Sequence, residues 1–119
     1  MTERPGWAKS PPDLVDAFGR ELSTMEGAQR RQMFGYPAAF VNGNLFTSLH
    51  QAAWVVRLPE DARTELLAQP GARIFEPMAG RPMKEYVVVP AELIEQPELL
   101  RLWLQRSFAY VQSLPPKKK

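Results

Sequence analysis

His50 is the only imidazole in the chain, and cysteine is absent. That absence excludes disulfides, thiolate nucleophiles, thiolate zinc sites and iron–sulfur clusters. One histidine, three aspartates and a set of glutamates remain as candidates for chemistry. A Ser-His-Asp arrangement needs a base that touches a nucleophile and is oriented by an acid. His50 reads instead as an exposed turn residue, and Asp13, Asp16 and Asp61 read as helix-start residues far from it along the chain. No spacing of His50 with carboxylates has the pattern of a metal site. Glu60, Asp61, Glu92, Glu95 and Glu98 fall where the first turn of a helix favours acids, because the free N–H groups there carry partial positive charge. Gly80-Arg81-Pro82-Met83-Lys84 has a glycine and a lysine but neither the spacing nor the strand–loop–helix setting of a phosphate loop. The expectation is a protein that is not an enzyme, with no catalytic residues, no metal and no cofactor.

Residues suited to contact are easier to find. Arg57 alternates with apolar neighbours on an expected central strand, where a charge must be paired or reach water. An ion pair is the first expectation for it, and contact with a ligand or partner the second. Residues 76–84 hold two prolines and a glycine and read as a long, stiff loop. Arg81, Met83 and Lys84 within it, with Phe75 at its start, combine cations with a thioether that adapts to varied apolar surfaces. They are the leading binding candidates beside Arg57. Lys117, Lys118 and Lys119 form a basic tail suited to weak contact with nucleic acid. Trp7 lies outside the expected core and must fold back or meet a partner, whereas Trp103 falls on an apolar helical stripe and is expected inside.

The elements that position these residues follow from periodicity. Leu14, Phe18, Leu22 and Met25 recur at helical spacing after Ser10-Pro11-Pro12, which predicts a helix over 12–25 with Ser10 as its cap. Asn42-Gly43 between Phe40-Val41 and Leu45-Phe46 predicts a hairpin with a type I′ turn. Residues 45–49 and 53–58 read as further strands, with Trp54, Val56 and Leu58 on one face and Ala53, Val55 and Arg57 on the other. Pro59-Glu60-Asp61 opens a second helix that Gln69-Pro70-Gly71 stops. Strands over 73–75 and 85–89 follow, the latter nearly all β-branched and so expected to be buried on both faces or central. A short helical turn around Leu93 and Ile94 precedes a last helix from Pro97, whose buried stripe is Leu100, Trp103, Leu104, Phe108, Val111 and Leu114.

Composition sets the frame. Hydrophobic residues at 45% and charged residues at 24% match an ordinary globular chain, and 119 residues suit one core. The domain is expected over 11–114, between a loose arm at 1–10 and a tail at 115–119. Removing the three terminal lysines turns the formal charge of +2 into −1, so the basic pI describes the tail more than the body. No stretch is apolar enough for a membrane span, and a cytoplasmic location is expected.

Arg31-Gln32-Met33-Phe34-Gly35, then Phe40-Val41-Asn42-Gly43-Asn44-Leu45-Phe46, then Val56-Arg57-Leu58-Pro59 resemble successive blocks of the N-terminal domain of the TfoX/Sxy family. Phe75-Glu76-Pro77, Gly80-Arg81-Pro82-Met83-Lys84-Glu85-Tyr86 and the Trp103 helix continue the series, so the resemblance covers residues 13–114. It implies an α+β, two-layer sandwich in the order helix, three strands, helix, two strands, helix, with a mainly antiparallel sheet. Members that resemble full-length TfoX regulate competence for DNA uptake and carry a second, C-terminal helical domain, which is not expected in this chain. The family brings no catalytic residues to carry over. The function expected is a regulatory or adaptor domain that binds another protein, or a second copy of itself, through a sheet edge or the loop at 75–84. The alternatives are weak nucleic-acid binding by the tail with Arg81 and Lys84, and small-molecule binding in a pocket.

Overall fold

A computed structural model of the chain describes residues 9–116. Its elements are α1 (Pro12–Leu22), β1 (Gln29–Met33), β2 (Tyr36–Val41), β3 (Asn44–His50), β4 (Ala53–Arg57), α2 (Glu60–Leu67), β5 (Arg73–Met78), β6 (Arg81–Val88), α3 (Ala91–Ile94) and α4 (Pro97–Gln112). All six strands form one antiparallel sheet in the order β1-β2-β3-β4-β6-β5. The α+β class and the antiparallel sheet are as expected. Four strands precede α2 where three were expected.

The extra strand arises at Phe34-Gly35. Both residues have positive φ, 55° and 84°, as do Asn42 and Gly43 at 55° and 81°. Two successive positive φ angles make a type I′ turn, whose twist suits an antiparallel pair. The chain therefore folds back twice in the same way, from β1 to β2 and from β2 to β3. The first turn has a bulky phenylalanine where asparagine usually stands, which hides it from turn chemistry.

The start of α1 also differs from expectation. Pro11 is the N-cap, with φ −60° and ψ 143° and no side-chain capping bond. The Ser10 hydroxyl is shielded and makes no hydrogen bond among the described residues. At the other end, Ser23 Oγ donates to Arg20 O at 2.8 Å and Thr24 Oγ1 to Glu21 O at 2.7 Å. These hydroxyls take up carbonyls of the last turn, and the helix ends at Leu22 instead of Met25.

One core lies between the helices and one set of sheet positions. Phe18 and Leu22 of α1, Ala62 and Leu66 of α2, and Leu100, Trp103, Leu104 and Val111 of α4 meet Ala39, Val41, Leu49, Trp54, Val56 and Val87. Trp54, Val56 and Leu58 share this side, as period two requires, and Trp103 is 8% exposed within it. Val87, Val88 and Val89 are all buried, because β6 lies between β4 and β5. A register shift between Ala39 and Phe40 pairs Ala39 with Thr47 but Phe40 with Leu45, leaving Phe46 as the extra residue of a bulge. The bulge turns Phe46 onto α4, where its ring meets Phe108 edge-on at 5.3 Å and its carbonyl accepts from Ser107 Oγ at 2.7 Å.

Trp54 is fully buried, and its ring lies 5.2 Å from that of Phe18. Its indole N–H donates to Thr47 Oγ1 at 3.0 Å, and that hydroxyl donates to Val55 O at 2.7 Å. A buried donor left without a partner costs about 1–3 kcal/mol. Thr47→Val should lower the unfolding free energy by about that amount in urea titration. In a Trp54→Phe background the same change should cost clearly less, because no indole N–H is then stranded.

Candidate functional site

The sheet positions that do not face the helices form a second surface. Registers place Ala38, Ser48, Val55 and Val88 in a row across β2, β3, β4 and β6, with Arg31 opposite Ala38 at one end and Arg73 opposite Val88 at the other. The four central residues are buried. Towards one end of the strands, the His50 ring lies 5.1 Å from Tyr36 and 5.2 Å from Phe75. Towards the other, Arg57 lies over the Tyr86 ring at 5.7 Å.

His50 thus differs from the exposed turn residue expected. It ends β3, is half-buried, and joins aromatic rings from β2 and β5. Desolvation lowers its pKa below the ordinary 6.5. A groove of about 780 Å³ opens beside it, lined by Gln51, Ala53, Arg73, Phe75, Val88 and Ile94 among others. The signal available beforehand was the alternation of Ser48 and His50 on one face, which turn chemistry at Gln51 obscured.

Arg57 is half-buried in β4, and its Nε donates to Glu85 Oε1 at 2.7 Å. Burial by itself would lower the guanidinium pKa, but the Glu85 hydrogen bond and the charges of Glu85 and the neighbouring tyrosines leave it raised. Burial raises Tyr86, and Arg57 opposes that rise in part. Arg57 is therefore an ion-paired residue that closes the end of the β4–β6 pairing. There Leu58 N donates to Glu85 O at 2.9 Å, and β4 goes no further.

Beyond Glu85 the structure corrects the expected long loop. Residues 76–84 are mostly strand: β5 runs to Met78, β6 starts at Arg81, and Ala79-Gly80 is a two-residue turn with Gly80 at φ 80°. The Gly80 N–H donates to Glu76 Oε2 at 2.6 Å across that turn. The prolines concealed this ribbon because each removes a ladder donor. Pro77 is accommodated where the register shifts between Phe75 and Met78, and Pro82 lies past the end of β4, where no neighbour on that side needs its N–H. The register also jumps from Ile74↔Val87 to Phe75↔Met83, so the ladder between β5 and β6 is interrupted at the base of the ribbon.

Phe75, Arg81, Met83 and Lys84 are brought together on this ribbon, and Arg57 stands at its base. Arg81 and Lys84 are exposed, Met83 is 37% exposed, and Met78, opposite Arg81, is 58% exposed. Met78, the second methionine of the stretch that the sequence marks for contact, joins them once the turn at Ala79-Gly80 is in place. Trp7 and Lys117, Lys118 and Lys119 lie outside the described residues. Glu60, Asp61, Glu92 and Glu98 occupy first turns, whereas Glu95 caps the C-terminus of α3. Among the described residues no three His, Asp or Glu side chains are grouped as metal ligands, and no helix is long and apolar enough to cross a membrane.

The family model of the TfoX N-terminal domain matches residues 20–110. No curated protein matches the chain.

The lowered pKa of His50 gives a pH dependence of known sign. The unfolded chain binds the proton more readily than the folded one, so stability falls as pH drops below about 6.5 towards the folded midpoint and is retained above that window. A proton NMR titration should place the His50 midpoint below 6.5. In His50→Gln, melting curves should lose the part of their pH dependence that lies in that window.

Proposed function

The chain belongs to the TfoX N-terminal domain family, and from that premise we propose that it is a non-catalytic regulatory or adaptor domain that binds another protein through the β5–β6 ribbon. One observation carries this reading: two methionines, Met78 and Met83, stand exposed beside Arg81 and Lys84 on a ribbon where β5 and β6 pair only with each other. Exposed apolar side chains that gain nothing in the free chain favour contact with a partner. Methionine suits such a contact because its unbranched thioether repacks easily, and arginine can engage a carboxylate with two parallel hydrogen bonds. The two-residue turn and Glu76 limit the freedom the ribbon has to lose on binding. Competence regulation is the family role closest to this reading, and the ribbon is the surface by which the domain would take part in it.

Arg81→Ala combined with Lys84→Ala should leave the melting temperature nearly unchanged, since exposed charges contribute little to stability. Capture of partner protein from the native host should fall sharply in the same variant. A large loss of stability with capture intact would make these residues structural. In a broad substrate screen the purified chain should show no hydrolase or transferase turnover, and turnover abolished by a single carboxylate or His50 substitution would overturn the non-catalytic reading.

A further inference from the structure

The two edges of the sheet are unlike. β5 carries Pro77 and two breaks in register, which make it a poor template for another strand. β1 keeps unbroken register with β2 from Gln29↔Phe40 to Met33↔Tyr36, and Gln29, Arg30, Arg31 and Gln32 are all exposed. No strand among the described residues pairs with its outer side. Arg30 and Arg31 alternate across the sheet. The Arg31 guanidinium lies over the Phe40 ring at 5.5 Å, and Arg30 Nη1 makes one long bond to Gly19 O at 3.4 Å. Neither has a carboxylate at ion-pair distance among the described residues. On the helix side of this edge a groove of about 370 Å³ lies between α1 and the strand, with Val15, Phe18 and Pro37 in its wall.

We propose that the outer edge of β1 accepts an extended acidic segment of another protein as an added antiparallel strand. This concerns the edge opposite the ribbon and is independent of the ribbon's role. Charge complementarity selects the occupant. Antiparallel pairing of two copies centred on Arg30 and Arg31 would set arginine against arginine, which is unfavourable for directly opposed residues. Consecutive acids in a partner strand would instead face Arg31 on one side of the sheet and Arg30 on the other. The residue preceding those acids falls opposite Gln32, on the groove side, where an apolar side chain can enter between Val15 and Pro37. Main-chain bonds to the free edge supply affinity, and the alternating side chains supply the choice of partner. A nucleic-acid strand would satisfy the arginines but not the ladder, because a strand edge presents acceptors as well as donors and a phosphate backbone offers only acceptors.

The test uses the full chain and a fluorescent, end-blocked ten-residue peptide, rich in threonine, with Val-Glu-Glu at its centre. Anisotropy should show saturable binding, with slowed amide exchange confined to β1 and its surroundings. Arg30→Glu with Arg31→Glu should weaken binding at least about tenfold while circular dichroism stays unchanged. The same variant should bind a Val-Lys-Lys version of the peptide more tightly than the native chain does. Arg81→Ala with Lys84→Ala should bind the original peptide as the native chain does, which separates this edge from the ribbon. Equal affinity of the native chain for both peptides would overturn the proposal, as would amide protection on the ribbon alone. A single-stranded oligonucleotide that binds this edge more tightly than the acidic peptide, or a dimer of the chain that the peptide cannot dissociate, would overturn it as well.

Discussion

The hydrogen-bonded stack of Trp54 on Thr47, capped by the Phe18 ring, is the point on which the helical layer and the sheet agree. A large indole fully buried in a strand needs both a partner for its N–H and apolar cover for its ring. The neighbouring strand supplies the first through Thr47, and α1 supplies the second. α4 then lies along β3 and β4, with Ser107 bonded to the bulge at Phe46. Glu21, 2% exposed at the end of α1, is held by Arg101 of α4 at 2.7 Å, so the two helices are also tied by charge. These contacts draw α1 and α4 to one side of the sheet.

That asymmetry explains where the functional candidates fall. Side chains facing the helices are engaged in packing, and the exposed candidates lie at the edges of the sheet and on the ribbon beyond it. The aromatic group of Tyr36, His50 and Phe75 and the Arg57–Glu85–Tyr86 group sit at opposite ends of the sheet positions that do not face the helices. Each uses a polar side chain against rings. The second group also marks the place where β6 parts from β4 and continues with β5 alone. Past that point β6 has one neighbouring strand in place of two, and Arg81, Met83 and Lys84 are exposed there together with Met78 of the edge strand β5.

Much of this was readable in the residues, and the exceptions have physical causes. The Asn42-Gly43 turn, the division of β4 into Trp54 and Arg57 faces, the buried valines at 87–89 and the α4 stripe all follow from local rules that tertiary packing reinforces. The Phe34-Gly35 turn escaped because a bulky residue occupies a left-handed position that asparagine or glycine normally takes. The ribbon escaped because Pro77 and Pro82 argue against strand wherever both neighbours need their N–H groups, and here they do not. His50 was misplaced because its contacts come from β2 and β5, at separations along the chain that no local pattern encodes. Arg57, by contrast, has the partnered charge that its position demands, although nothing in the residue pattern singled out Glu85 as the partner.

The central claim is that the helix-covered strands form the cooperative body of the domain, while the ribbon is a separately opening surface available for recognition. Site-resolved amide exchange of the whole chain tests this most directly, because core amides exchange only through global unfolding and loosely held segments exchange through local opening. The account predicts that β3, β4 and the Val87–Val88 part of β6 share the slowest exchange, with a denaturant dependence equal to that of global unfolding. Amides from Phe75 to Lys84 should exchange far faster and with little denaturant dependence. Protection of the ribbon equal to that of β3 and β4 would contradict the account, since the ribbon would then belong to the cooperative core.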